Sequence, residues 1–254
     1  MIRNIITALQ FLTVFTLKKD HQVDENDLAR SMTYFPFVGF LLGLILVWSD
    51  RLFSCFFPDT ISNIFILLLS ALLTRALHLD GLADTVDGIM GGTDAASRLA
   101  IMKDSRIGTS GVLAVVFVLL TRYVCLNNLF GEYKNAALLT APAFSRWSQM
   151  LMMFRAEYGR KSGLGRAFVG HVRTGGLVVA SVVSLGISAF VIVNDFRTGM
   201  LAIGIPLAIA AFTLLWRWFI TRKVGGVTGD SVGAASEMNE TLTLLLFVAL
   251  LRER

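Results

Sequence analysis

Between residues 78 and 88 the chain reads HLDGLADTVDG, which brings His78, Asp80, Asp84 and Asp87 within ten residues. On a helix the three aspartates fall at i, i+4 and i+7 and stack along one face. Three adjacent negative charges repel one another unless a cation neutralises them. Mg²⁺ does so directly, because it takes oxygen from one or two carboxylates and completes its shell with water and substrate phosphates. A solvated acidic cap is the plain alternative, but only 16% of the chain is charged, which makes a decorative cluster of acids poor value. Gly81, Gly88, Gly91 and Gly92 interleave with the acids. They lower helix propensity, a cost that suits backbone coming close to a ligand or to another helix.

A second polar stretch, MKDSRIGTSG, supplies Lys103, Asp104, Ser105 and Arg106 ahead of Gly108, Ser110 and Gly111. A carboxylate, two cations and glycine-rich backbone at a helix start are the parts that hold a diphosphate and its metal. A third, GGVTGDSVGAASEMNE at 225–240, contains Asp230, Glu237 and Glu240 among Gly225, Gly226, Gly229 and Gly233. As a helix it would present a second acidic face; as a loop it would hold one capping acid. Two acidic clusters on one side of a membrane, converging, would make a two-metal or metal-plus-base site for phosphoryl transfer. No Walker A motif, dinucleotide fingerprint or H-E-x-x-H occurs, and His21, His78 and His171 are too scattered for zinc. Arg146, inside an apolar segment, is a candidate anion contact, whereas Arg75 could equally snorkel to the surface.

The elements that must carry these groups are membrane helices. Hydrophobic residues make up 55% of 254, and the mean hydropathy is +0.67. Nearly uncharged stretches run over 33–49, 60–78, 110–127, 135–154, 174–194, 198–216 and, weakly, 234–251. The expectation is an all-α, polytopic transmembrane bundle of about six to eight helices forming a single domain, 1–254. Residues 2–17 read as a retained interfacial or short helix, since no cleavage site precedes the charged run at Lys18, Lys19 and Asp20. The loops 18–31, 79–109, 155–173 and 217–233 carry 14 Lys or Arg, against Arg51, Lys134 and Arg197 in the alternate loops. The positive-inside rule puts the first set, with all the acid clusters, in the cytoplasm. The net charge of +5 is thus topological and does not point to nucleic acid. The basic loop 155–173 is also a candidate for anionic lipid or a phosphorylated substrate. Cys55 and Cys125, without C-x-x-C spacing, read as core or lipid-facing residues.

Taken together, HLDGLADTVDG at 78–88, KDSRIGTSG at 103–111 and GGVTGDSVGAASEMNE at 225–240 resemble, in order, the signatures of the cobalamin synthase family, the adenosylcobinamide-GDP ribazoletransferases. YFPFVGFLLG at 34–43 and GLGRAF at 163–168 extend the resemblance end to end. It implies a Mg²⁺-dependent transferase of the bacterial inner membrane, of the phosphotransferase class EC 2.7.8. Its substrates would be adenosylcobinamide-GDP and α-ribazole or α-ribazole 5′-phosphate, with GMP leaving. Carried over, Asp80, Asp84, Asp87, Asp230 and Glu237 would be metal ligands, and Lys103, Ser105, Arg106, Arg146 and Gly229 would contact substrate. Asp104, Asp84 and His78 would be the catalytic set, with the general base either Asp104 or an acid of the 225–240 cluster. A homo-oligomer, or association with other enzymes of nucleotide-loop assembly, is compatible with the resemblance. A membrane enzyme like the CDP-alcohol phosphotransferases, a divalent-cation transporter and a scaffold are the competing readings. The first fits less well, because Asp84 stands where that superfamily's pattern would place Arg.

Overall fold

The computed structural model describes residues 2–17, 24–192 and 196–251; Lys18, Lys19, Asp20 and His21 lie outside the described residues. The helices are α1 (Ile2–Leu12), α2 (Glu25–Ser31), α3 (Phe35–Ser54), α4 (Asp59–Leu73), α5 (Leu77–Gly91), α6 (Ala95–Ile101), α7 (Thr109–Asn127), α8 (Gly131–Met153), α9 (Thr174–Ile192), α10 (Phe196–Val224) and α11 (Gly229–Leu251). No strand occurs among the described residues; Tyr158 and Val227 form one isolated bridge. The protein is an all-α membrane protein, and the apolar stretches read from the sequence fall on helices where they are described, apart from 60–78.

Four segments are long and apolar enough to cross a bilayer: Asn26–Ser54, Thr109–Asn127, Thr174–Val191 and Ala202–Val224. Their outward faces carry Phe117, Leu120, Val182, Phe190, Leu207 and Leu215, all exposed, as lipid contact requires. α8 and α11 have the length, at 23 residues each, but are more polar because they lie inside the bundle. There, hydroxyl, amide and charged groups satisfy one another away from lipid. α3 packs along α8 without intervening side chains: a Cβ at Gly39 would collide with the Pro142 carbonyl, and one at Gly43 would meet the Leu138 carbonyl oxygen at 2.7 Å.

The stretch 60–78 needs correction as a span. α4 stops at Leu73, and α5 leaves it at 86°. Fifteen residues of α4 give only about 22 Å, short of the ~30 Å hydrocarbon core. The corner is made by Arg75 and Ala76, both left-handed at φ 54° and 52°, a conformation in which non-glycine residues are uncommon. Arg75 itself is exposed. The effect is to turn α5, with its three aspartates, away from the axis of α4, so that 60–78 is not one continuous helix.

Candidate functional site

α5 is helical through all three aspartates, so Asp80, Asp84 and Asp87 share one face. α11 begins at Gly229 and puts Asp230 in its first turn beside them. Two glycines permit this approach. A Cβ at Gly81 would come within 2.9 Å of the Asp230 carbonyl oxygen, and one at Gly233 within 3.3 Å of the His78 Cα.

The four acids have different surroundings. Asp87 accepts the backbone N–H of Gly108 at 2.6 Å and that of Gly111 at 2.8 Å, one on each carboxylate oxygen. It thereby ties α5 to the first turn of α7, where anionic charge meets the positive helix end. Side chains at Gly108 or Gly111 would collide with it. Asp230 accepts a bond of 2.5 Å from the Arg160 guanidinium, which also donates to the Met102 carbonyl at 3.3 Å. Burial holds the Asp230 carboxyl above its ordinary range, with Arg160 opposing. Among the described residues Asp84 pairs with no cation of its own. Burial, then the charges of Asp80 and Asp230, push it up to about 7, with Arg160 pulling the other way and Asp87 adding to the rise. Asp80 is exposed. Among the described residues, four carboxylates therefore face one guanidinium, that of Arg160.

Beside this cluster opens a pocket of about 290 Å³, with His78, Asp80, Tyr158, Arg160, Gly229 and Asp230 along its polar side. The His78 ring is buried, its Nε2 lying 2.9 Å from the Gln149 amide nitrogen, which also donates to Ser236 Oγ at 2.8 Å. Burial, then the nearby Arg146 and Arg122 charges, keep the imidazole well below its usual pKa and hence neutral. Among these residues Arg160 came from the sequence only as one member of a basic loop, and Tyr158 and Gln149 not at all. No spacing rule connects them to the aspartates; α8 carries Gln149, and the loop after it brings in Tyr158 and Arg160.

The stretch 103–106 forms an exposed corner between α6 and α7. Arg106 binds Asp104 through two nitrogens, with Nη2 donating at 2.6 Å and the backbone N–H adding a bond of 3.0 Å. These hydrogen bonds hold Asp104 down at about 2. It is an ion-pair partner here and a weak proton acceptor. Lys103 and Ser105 are exposed next to it.

Glu237 and Arg146 are placed elsewhere. Seven residues past Asp230, Glu237 lies about 10 Å deeper along α11. It pairs with Arg122 at 2.7 Å, while Glu240 pairs with Arg146 at 2.8 Å and Arg122 at 3.4 Å. All four side chains are buried. The 225–240 cluster thus divides, its first acid joining α5 and the other two closing a balanced network inside the bundle. Among the described residues no three of His, Cys, Asp or Glu enclose a metal ion by themselves. Cys55 and Cys125 are free thiols, the first exposed and the second buried.

Residues 4–248 match the family profile described as cobalamin-5-phosphate synthase. Proteins named adenosylcobinamide-GDP ribazoletransferase are similar to this chain over nearly their whole length. That of Geotalea daltonii is 36% identical, covering 98% of both chains. That of Syntrophobacter fumaroxidans is 38% identical over 94% of this chain and 95% of its own. That of Clostridium novyi is 34% identical over 97% of each. No solved structure matches. With Asp87 bonded to the 103–111 stretch, Gly81 packed on Asp230, and the match running from residue 4 to residue 248, the chain belongs to the cobalamin-5-phosphate synthase family.

Proposed function

We propose that this protein is an adenosylcobinamide-GDP ribazoletransferase, completing the nucleotide loop of cobalamin at the cytoplasmic face of the bacterial inner membrane. A ribose hydroxyl of α-ribazole, or of its 5′-phosphate, forms a new P–O bond to the cobinamide-bearing phosphorus. The anhydride P–O bond breaks, GMP departs, and the hydroxyl proton passes to a carboxylate. The relatives' names give the substrates, and the excess of carboxylate around Asp84 is the observation that carries the chemistry.

That excess fits Mg²⁺. The donors are hard oxygens, and Asp84 at about 7 is a carboxylate that lacks a countercharge. Asp80, Asp84 and the remaining oxygen of Asp230 would hold the ion, with Asp87 fixing the helix on which two of them stand. Since no three of these residues enclose an ion, water and substrate phosphate oxygens would complete the shell, as Mg²⁺ commonly requires. When bound, the ion neutralises charge building on the anhydride as GMP leaves.

The chain's own groups do the rest. Arg160 reaches the cluster from the loop after α8 and offers its remaining N–H groups to a phosphate. Lys103 and Arg106, exposed on the neighbouring corner, meet the charge of the GDP portion. Neutral His78 lines the pocket as a hydrogen-bonding group held by Gln149. Of the acids that could accept the proton, Asp84 lies nearest neutrality and Asp104 furthest below it. A base must hold a proton near the working pH, so an acid of the α5–α11 cluster is the better acceptor.

A transporter would keep its unbalanced acids near the middle of broken helices. Here the buried acids Glu237 and Glu240 inside the bundle are matched by Arg122 and Arg146. The test is direct. Purified protein in detergent or liposomes, given adenosylcobinamide-GDP, α-ribazole and Mg²⁺, should release GMP and form the joined corrinoid. Absence of both products from folded protein overturns the proposal.

A further inference from the structure

The pocket beside the carboxylates has a second wall that the phosphate chemistry leaves unused. Phe11 of α1, Phe35 of α3 and Phe168 in the loop before α9 form a cluster there. The Phe11 and Phe168 ring centroids are 4.5 Å apart, and Phe35 lies 6.0 Å from Phe11 and 6.3 Å from Phe168. Met153 and Val169 line the same wall. One pocket is therefore lined both by aromatic and aliphatic side chains and by Asp80, Asp230 and Arg160.

We infer that this pocket binds the flat apolar base of the nucleoside acceptor against the half-buried ring of Phe11, which the buried rings of Phe35 and Phe168 hold in place, with the ribose directed to the carboxylates. The inference rests on the proposed transferase reading and adds to it the location of one substrate. Three substrate parts compete for the space. The corrin macrocycle with its side chains is far larger than a pocket of about 290 Å³, which falls just below the usual range of small-molecule sites, roughly 300–1,000 Å³. Guanine would fit by size but would carry its N–H groups and carbonyl oxygen into an apolar wall. The Gln149 amide cannot serve that carbonyl, because its nitrogen already bonds His78 and Ser236. Buried polar groups left without partners are costly. A dimethylbenzimidazole is bicyclic, flat and nearly all carbon, and loses little by leaving water. Stacking on phenyl rings suits it. The geometry also brings its ribose to the groups that must act on it, since Asp80 and Asp230 line the same pocket.

The test separates this assignment from the transferase reading. Benzimidazole fluorescence is followed as α-ribazole is titrated into the detergent-solubilised full chain, without Mg²⁺ or the second substrate. In parallel, GMP release is measured with each substrate varied. Saturable binding to the wild type is expected, weakened about tenfold or more by Phe11→Ala, in line with the usual loss when an aromatic stacking partner is removed. The KM for α-ribazole should rise in step, and the KM for adenosylcobinamide-GDP should stay within about twofold. No binding to the wild type, or a Phe11→Ala defect confined to the GDP substrate, overturns the pocket assignment even where GMP release is normal. Binding that depends on Phe11 without any GMP release would overturn the transferase reading and leave the pocket standing. If Phe11→Ala does not fold, the wild type decides. An α-nucleoside with a purine in place of dimethylbenzimidazole should bind at least about tenfold more weakly, and equal binding overturns the proposal.

Discussion

Two groups of charged residues share helix α11 and differ in one respect. At its first turn Asp230 joins Asp80, Asp84 and Asp87, and Arg160 is the cation that the structure brings to them. Two to three turns further in, Glu237 and Glu240 face Arg122 and Arg146, two against two. The balanced group is a solved electrostatic problem, and Thr241 Oγ1 and the Glu237 carbonyl take further guanidinium bonds from Arg122. The unbalanced group is unsolved until a cation and a charged substrate arrive. Residue type alone does not mark the site; the arithmetic of charge around it does.

If that contrast holds, the largest effect belongs to Asp84→Asn. Loss of a ligand to the catalytic ion should lower kcat/KM for GMP release by about a thousandfold or more, a cost of several kcal/mol in transition-state stabilisation. The thermal melt should barely move. The buried quartet should respond the opposite way. Arg122→Ala leaves Glu237 buried without its partner, a change that typically costs about 3–5 kcal/mol of stability. A melt in detergent should show it, while the protein that remains folded keeps most of its turnover. A stable but inactive Arg122→Ala protein would erase the distinction between the two groups.

Titration sharpens the contrast further. Asp84 is raised by burial and by its acidic neighbours to about 7, above an ordinary carboxylate. For such a group the metal-free folded state holds the proton more tightly than the unfolded one. The stabilising contribution is present at low pH and is lost as pH rises through about 7. Metal-free protein should therefore melt higher at pH 6 than at pH 8. Mg²⁺ competes with that proton, so the Mg²⁺ concentration giving half-maximal GMP release should rise as pH falls below 7. A half-maximal concentration that does not change between pH 6 and pH 8 would detach Asp84 from the metal.

The sequence made the α5 face readable because i, i+4, i+7 spacing survives translation into any straight helix. The apolar stretches were equally readable, since lipid contact demands them. The corner at residues 74–76 was hidden: Thr-Arg-Ala carries no glycine or proline to signal a left-handed turn, and tertiary packing imposes it. The fate of Glu237 was hidden too. Its spacing from Asp230 is the same whether α11 lies along the face or dives into the bundle, and only the position of Arg122, more than a hundred residues earlier, decides. Phe11, Phe35 and Phe168 look like ordinary core aromatics in sequence, and they become a wall only when α1, α3 and the loop before α9 meet.

The smallest expected effect concerns Asp104, an acid that spacing alone cannot distinguish from the others. Arg106 occupies its carboxylate, and the pair stands in solvent at the corner before α7, with the Arg106 side chain 88% exposed. An exposed pair of this kind is screened by water and contributes little to holding the chain together. Its use is to aim the guanidinium. Asp104→Asn should thus leave the melt unchanged and raise the KM for adenosylcobinamide-GDP by about two- to fivefold, with kcat nearly intact. A proton acceptor would behave differently: kcat would fall by about a hundredfold or more, and the acid limb of its pH profile would disappear. The split between KM and kcat in this one variant therefore decides whether proton transfer belongs to the unbalanced cluster on α5 and α11 or to the corner beside it.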